Sequence, residues 1–343
     1  MNRQRNTTID FLRGLATLLM ILIHVTAYFL SNPVVYVIWD YTHIVVPLFI
    51  FCSAFIYFKR GSYSLGVKST LKRIKRLIIP YYLYLIVLFS TLFIIDPSSL
   101  SVGGVIKKFL FFQGRDLSWL VVLFLIFIPL FAFLEYAYQK RPTLLKIVGG
   151  ITLIISVFLL TNTIGLPFRY IMWLPWCVYL IFTLLYAKGV FSKKMIVVMF
   201  VLSALTYGIS RGVLMGADHT LTLTENKYPP NMFYLSYGIF WTILLYELHL
   251  FFNARGVIPP VVQRGFDVMS THSYSLFFIH FWYVTILRKV IDYQMLGWWG
   301  FFGVVLVLSI VTQIVINKIY PIIKGIIPHL GIIPKNTYFL SIL

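Results

Sequence analysis

The chain has 343 residues, of which 60% are hydrophobic and 11% charged, whereas a soluble globular protein is about a quarter charged. So few charges cannot cover a water-facing surface, and a soluble domain is excluded. The 29 Lys and Arg against 10 Asp and Glu sit in short segments between apolar runs, which fits anionic lipid headgroups and membrane topology better than nucleic acid.

Apolar stretches near the length of a membrane-crossing helix run over residues 9–30, 35–58, 77–95, 117–134, 144–161, 170–187, 195–211, 232–252, 273–287 and 298–320. The first has the length of a full span, and Ser31, Asn32 and Pro33 make no small-x-small cleavage site. It is expected to stay in the mature protein as a helix rather than be removed as a signal peptide. With the N-terminus placed inside, the inner segments hold 20 positive residues and the outer segments 8, with Arg13 inside the first span. That asymmetry orients both termini to the cytoplasm. The fold expected is therefore all-α: a polytopic integral membrane bundle of about ten transmembrane helices, one domain over residues 1–343. Of the outer segments, 96–116 and 212–231 are the long ones. Residues 105–112 in the first read as a short amphipathic helix on the membrane surface.

Ionisable groups inside a span need a reason, because hydrocarbon cannot solvate them. The first span carries Asp10, Arg13 and His24. Eleven residues at 100° each return Arg13 and His24 to one face of the helix, about 16 Å apart along its axis. Asp10, three residues before Arg13, is placed to pair with it. The pair is either functional or a snorkelling arginine with a structurally bonded histidine.

Further along, Lys72, Arg73, Lys75 and Arg76 form a cationic cluster in the loop before the third span. Two guanidiniums one turn apart suit phosphate, although the cluster alone is explained by topology. His43 lies near the outer end of the second span, and Ser53, deeper, reads as a hydroxyl bonded back to its own helix. His280 in the ninth span is either packing glue or a site wall. Cys52 and Cys177 sit in apolar runs as small packing residues, with no disulfide framework or metal spacing. No HExxH, P-loop or GxGxxG pattern is present.

Five segments carry a resemblance in order along the chain. Arg13 is followed by ten residues and His24. The segment Pro47-Leu48-Phe49-Ile50-Phe51-Cys52-Ser53-Ala54 precedes Arg73-x-x-Arg76, which leads to Pro80. Ser118-Trp119-Leu120 opens the fourth span, and Ser273-Tyr274-Ser275-Leu276-Phe277-Phe278-Ile279-His280 comes late. Together they resemble the signatures of the acyltransferase-3 family of ten-helix membrane acyltransferases, with Ala54 where the family has glycine.

The resemblance implies transfer of an acyl group, usually acetyl, from cytoplasmic acyl-CoA to a sugar hydroxyl of a lipid-linked or extracellular glycan. It further implies a stand-alone enzyme of the cytoplasmic membrane, tied to surface polysaccharide, with acyl-CoA as co-substrate and no bound cofactor. In that scheme Arg73, Arg76 and Lys72 hold the CoA phosphates, the catalytic residues are His24, Arg13 and Asp10, and Arg13 stands at the inner mouth and guides the pantetheine arm. His24 deprotonates the acceptor or carries the acyl group, and Ser53, His43, Trp119, Tyr228 and His280 line the substrate pocket.

The competing reading is an exporter of polysaccharide or lipid-linked sugar. Against it, no Gly- or Pro-broken span recurs in both halves as an inverted repeat would require. The charge asymmetry makes a direct prediction. Cysteine-accessibility labelling should place residue 75 inside and residue 228 outside, and the reverse at either position contradicts the ten-span topology.

Overall fold

The computed structural model describes residues 6–61, 63, 66–112 and 117–326, with side chains as far as residue 320. Among the described residues all regular elements are helical, the one way, short of a closed barrel, for backbone to satisfy its own hydrogen bonds in lipid. In chain order they are α1 (Thr7–Thr26), α2 (Pro33–Tyr41), α3 (Val45–Arg60), α4 (Val67–Ile95), α5 (Val102–Phe109), α6 (Ser118–Lys140) and α7 (Pro142–Phe158). There follow α8 (Phe168–Ile171), α9 (Trp173–Ala187), α10 (Lys193–Gly216), α11 (Met232–Ala254), α12 (Pro260–Thr271), α13 (Ser273–Val290) and α14 (Gly297–Ile326).

Local chemistry sets the boundaries. Asn6 caps α1 through the Ile9 amide at 3.1 Å, and Asn32 caps α2, whose first residue is Pro33. Ser192 and Asn231 cap α10 and α11 in the same way. Gly61 ends α3 with φ +69°, a left-handed conformation that a side chain would strain.

Eight segments are long and apolar enough to cross a membrane, with α2–α3 and α8–α9 each counting as one. The other two expected spans are α7, apolar but only 17 residues long, and α13, which has 18 residues and includes His280, Arg288 and Lys289. The chain is an all-α polytopic membrane protein.

Three sequence expectations need correction. The second span is broken at Thr42–Ile44, a 3-10 turn between α2 and α3, so residues 35–58 are not one continuous helix. The cationic cluster lies inside a helix and not in a loop: α4 starts ten residues before Leu77, because Lys, Arg and Leu are good helix formers in water as in lipid. Finally, α12 occupies a segment read as an inner loop. Its twelve residues begin with Pro at N1, a favoured start.

The chain divides into two compact units. Unit 1 comprises Met1–Thr42, Lys75–Asp116 and Ile258–Leu343, and unit 2 comprises His43–Ile74 and Leu117–Val257. In unit 2, α9 packs against α3, α6, α7 and α11. The buried Tyr179 hydroxyl there donates to the Pro47 carbonyl at 3.0 Å and lies 2.7 Å from Thr242 Oγ1. Glu135, fully buried, accepts from Lys188 at 2.6 Å.

In unit 1, α1 packs against α2, α12, α13 and α14. The α1–α12 contact is close because position 14 has no side chain. A Cβ on Gly14 would lie 2.3 Å from the Phe266 carbonyl oxygen, and the Phe11 and Phe266 rings meet edge-on at 4.6 Å. Gly14→Ala should force α12 off α1 and lower stability by about 1–3 kcal/mol, read as a fall in Tm. Gly150→Ala, with open space at its Cβ, should leave Tm unchanged.

Candidate active site

Unit 1 gathers most of the ionisable residues of α1 into one strip. Asp10 and Arg13 are both buried. The Ser270 hydroxyl on α12 donates to Asp10 Oδ1 at 2.8 Å, so the aspartate is anchored to a neighbouring helix. One turn along, Thr17 Oγ1 donates to the Arg13 carbonyl at 2.9 Å and to the Met269 carbonyl at 3.5 Å.

Farther along α1, His24 meets His280. The two residues are 256 positions apart in sequence, yet His24 Nδ1 lies 2.8 Å from His280 Nε2. Their rings are inclined by 14° with centroids 5.0 Å apart, and Phe281 closes one side of His24 edge-on at 5.3 Å. His280 is fully buried, whereas His24 is half-buried.

The tautomers of this pair follow from one carbonyl. His280 Nδ1 is 2.7 Å from the Leu276 carbonyl oxygen, which only accepts, so Nδ1 carries the proton. In the neutral ring Nε2 then holds a lone pair and accepts from His24 Nδ1–H. The same reasoning leaves the lone pair of neutral His24 on Nε2. The backbone of α13 thus dictates, through two imidazoles, which nitrogen of His24 is basic.

The helices of unit 1 run in register. The Tyr274 hydroxyl donates to the Leu77 carbonyl at 2.6 Å, Trp282 Nε1 donates to Thr91 Oγ1 at 3.2 Å, and Lys289 pairs with Asp96. These contacts lie in the same order along α13 and along α4 with the residue that follows it, so the two helices are parallel, and the order His24–His280, Tyr28–Arg288 aligns α1 with them. Arg76, next to Leu77 in α4, therefore marks the end of the unit opposite to that of Lys289.

The cationic trio lies on consecutive turns of α4. Lys72 is exposed and Arg73 and Arg76 are partly exposed, and within unit 2 the Arg73 guanidinium covers the Tyr57 ring at 4.8 Å. Unit 2 also holds His43, Ser53, Trp119 and Tyr228. His43 sits buried in the turn between α2 and α3, hydrogen-bonded to Thr224 through its Nε2, and its carbonyl accepts from the Tyr234 hydroxyl at 2.7 Å. Trp119 and Tyr228 meet edge-on at 5.0 Å, Phe168 lies 5.1 Å from Tyr228, and the Lys227 ammonium lies over the Tyr228 ring at 4.6 Å. Ser53 is half-buried and has no hydrogen-bond partner among the described residues, so the back-bond expected within its own helix is not formed.

Ser270, Leu276 and Phe281 were not recognised in the sequence as parts of a site. Leu276 acts through its main chain, which no side-chain pattern reports. Ser270 lies on the unrecognised α12.

The family model described as an acyltransferase domain, Acyl_transf_3, matches residues 6–317. No curated protein and no solved structure matches the chain.

Proposed function

As a member of the acyltransferase-3 family the chain is a membrane acyltransferase, and we propose that it moves an acyl group, most simply acetyl, from cytoplasmic acyl-CoA to a hydroxyl of a lipid-linked or extracellular glycan. The observation that carries this reading is the His24–His280 pair. A half-buried imidazole whose basic nitrogen is fixed by a buried partner has the form of a general base.

In the transfer step His24 Nε2 takes the proton of the acceptor hydroxyl as its oxygen bonds to the thioester carbonyl carbon. The carbon–sulfur bond then breaks, and the proton on His24 passes to the departing thiolate, which leaves as CoA–SH. His280 touches neither substrate. It is a positioning residue that keeps His24 in the Nδ1–H tautomer.

Arg73 and Arg76, with Lys72, hold the CoA phosphates by charge-assisted bonds, and the contact of Arg73 with Tyr57 supports that role by restraining its side chain. Arg13 and Asp10 guide the pantetheine arm, and the Asp10–Ser270 bond keeps that stretch of α1 against α12. Trp119 and Tyr228 offer ring faces of the kind on which sugars stack, with His43 and Ser53 as further pocket residues. The enzyme belongs in the cytoplasmic membrane, where acyl-CoA is available on one side.

His24→Gln is expected to abolish transfer, a loss of about 10²-fold or more, with normal expression, Tm and acyl-CoA binding. Full activity in His24→Gln would remove the proposed base. For His280→Leu, kcat should fall while the KM for acyl-CoA holds, and His280→Asn or Gln, able to accept from His24, should recover part of the loss. A merely structural His280 would instead track Tm. Arg73→Ala with Arg76→Ala is expected to weaken acyl-CoA binding and leave the acceptor KM unchanged; normal acyl-CoA binding would reduce the cluster to a topology signal.

A further inference from the structure

One cation in unit 1 has no use in the mechanism above. Arg288 lies in the last turn of α13, two turns beyond His280, and reaches across to the turn that follows α1. Its guanidinium carbon sits 3.5 Å from the centroid of Tyr28, one turn beyond His24, and 5.7 Å from that of Tyr293. Tyr293 is itself held by Phe29 at 5.7 Å and Phe301 at 5.4 Å. The arginine is thus stacked on a built aromatic wall, which restrains it at little cost to its hydrogen-bonding edge.

That edge is unused. Arg288 has no hydrogen bond or ion pair with any described residue, and its Nε is buried without a partner. A guanidinium carries five N–H donors, and buried donors are normally satisfied. The carboxylates nearest in sequence or across the helix pair are committed elsewhere. Asp96 pairs with Lys289, which holds its carboxyl down to about 2, and Asp292 accepts from the Gln294 amide at 3.2 Å. The end of α13 that carries Arg288 lies about 21 Å from the level of Tyr274 and Leu77, at the opposite end of unit 1 from Arg76.

The geometry points to Arg288, backed by Tyr28 and Tyr293, as an oxyanion-binding site that takes a carboxylate or phosphate beyond the His24–His280 pair. Planar forked donors match both groups in bidentate fashion. The oxyanion comes either from an acidic sugar or sugar phosphate of the acceptor or from a phospholipid headgroup. The acceptor assignment rests on the function proposed above and is favoured by the position of Tyr28 one turn from His24. The site itself does not rest on it.

Thermal unfolding of the purified full chain in a neutral detergent, at fixed ionic strength, reads binding without any transfer reaction. Saturating glucuronate and glucose 1-phosphate are expected to raise Tm by about 2–5 °C, and glucose to have no effect. Arg288→Gln should remove the shift, Arg288→Lys should weaken it because an ammonium cannot present the fork, and Arg73→Ala with Arg76→Ala should retain it. A shift removed by the Arg73 and Arg76 changes instead, or one that survives Arg288→Gln, overturns the site. Should neither anion bind, native mass spectrometry decides. Phosphatidylglycerol retained by the wild type and lost from Arg288→Gln keeps the site and transfers it to lipid, and equal retention overturns it. A His24→Gln protein that remains active while the Arg288-dependent shift persists would refute the base and leave this site standing.

Discussion

Hydrocarbon offers no hydrogen-bond partner, so every polar group inside the bundle must find one in the protein or in a ligand. That constraint explains the arrangement of unit 1. Asp10 is held by Ser270, Thr17 by two carbonyls, and His280 by the Leu276 carbonyl on one side and His24 on the other. The Asp10–Ser270, Thr17–Met269 and His24–His280 bonds also tie α1 to α12 or α13, and so the solution to a solvation problem sets the register between helices. Unit 2 solves it in the same way with Tyr179, Thr242 and the Pro47 carbonyl, and with Glu135 and Lys188.

The positions of the spans were legible because each is a run of apolar residues about as long as the bilayer is thick. What escaped the sequence is what such runs do not encode. The cationic face of α4 looks like a loop to any reading that equates charge with the absence of a span, although its residue types favour helix. The twelve residues of α12 are too few to cross and too polar to stand out, yet α12 supplies both the Ser270 anchor and the Phe266 backbone against which Gly14 packs. The break at Thr42–Ile44 falls within an apolar run whose hydropathy does not change across it.

The site was legible residue by residue but not as a constellation. His24 and His280 were each visible as an imidazole in a span, and each alone was equally a packing group. Only their contact across 256 residues turns two ambiguous histidines into one directed pair, and no local spacing predicts a contact of that range. Arg288 was only one of the eight positives of the outer segments, because its stacking partner Tyr28 lies far away in sequence, in the turn after α1, and its lack of an acceptor is a property of the folded protein alone.

The way the two imidazoles are wired also sets how far a proton can travel. A proton gained by His24 can shift along the pair only as far as His280, whose Nδ1 proton already points at the Leu276 carbonyl, an acceptor with no proton to pass on. The pair is a cul-de-sac and not a wire. In the proposed cycle a charge taken up at His24 leaves by the nitrogen through which it arrived, so its proton returns to the reactants and none is relayed onward through His280.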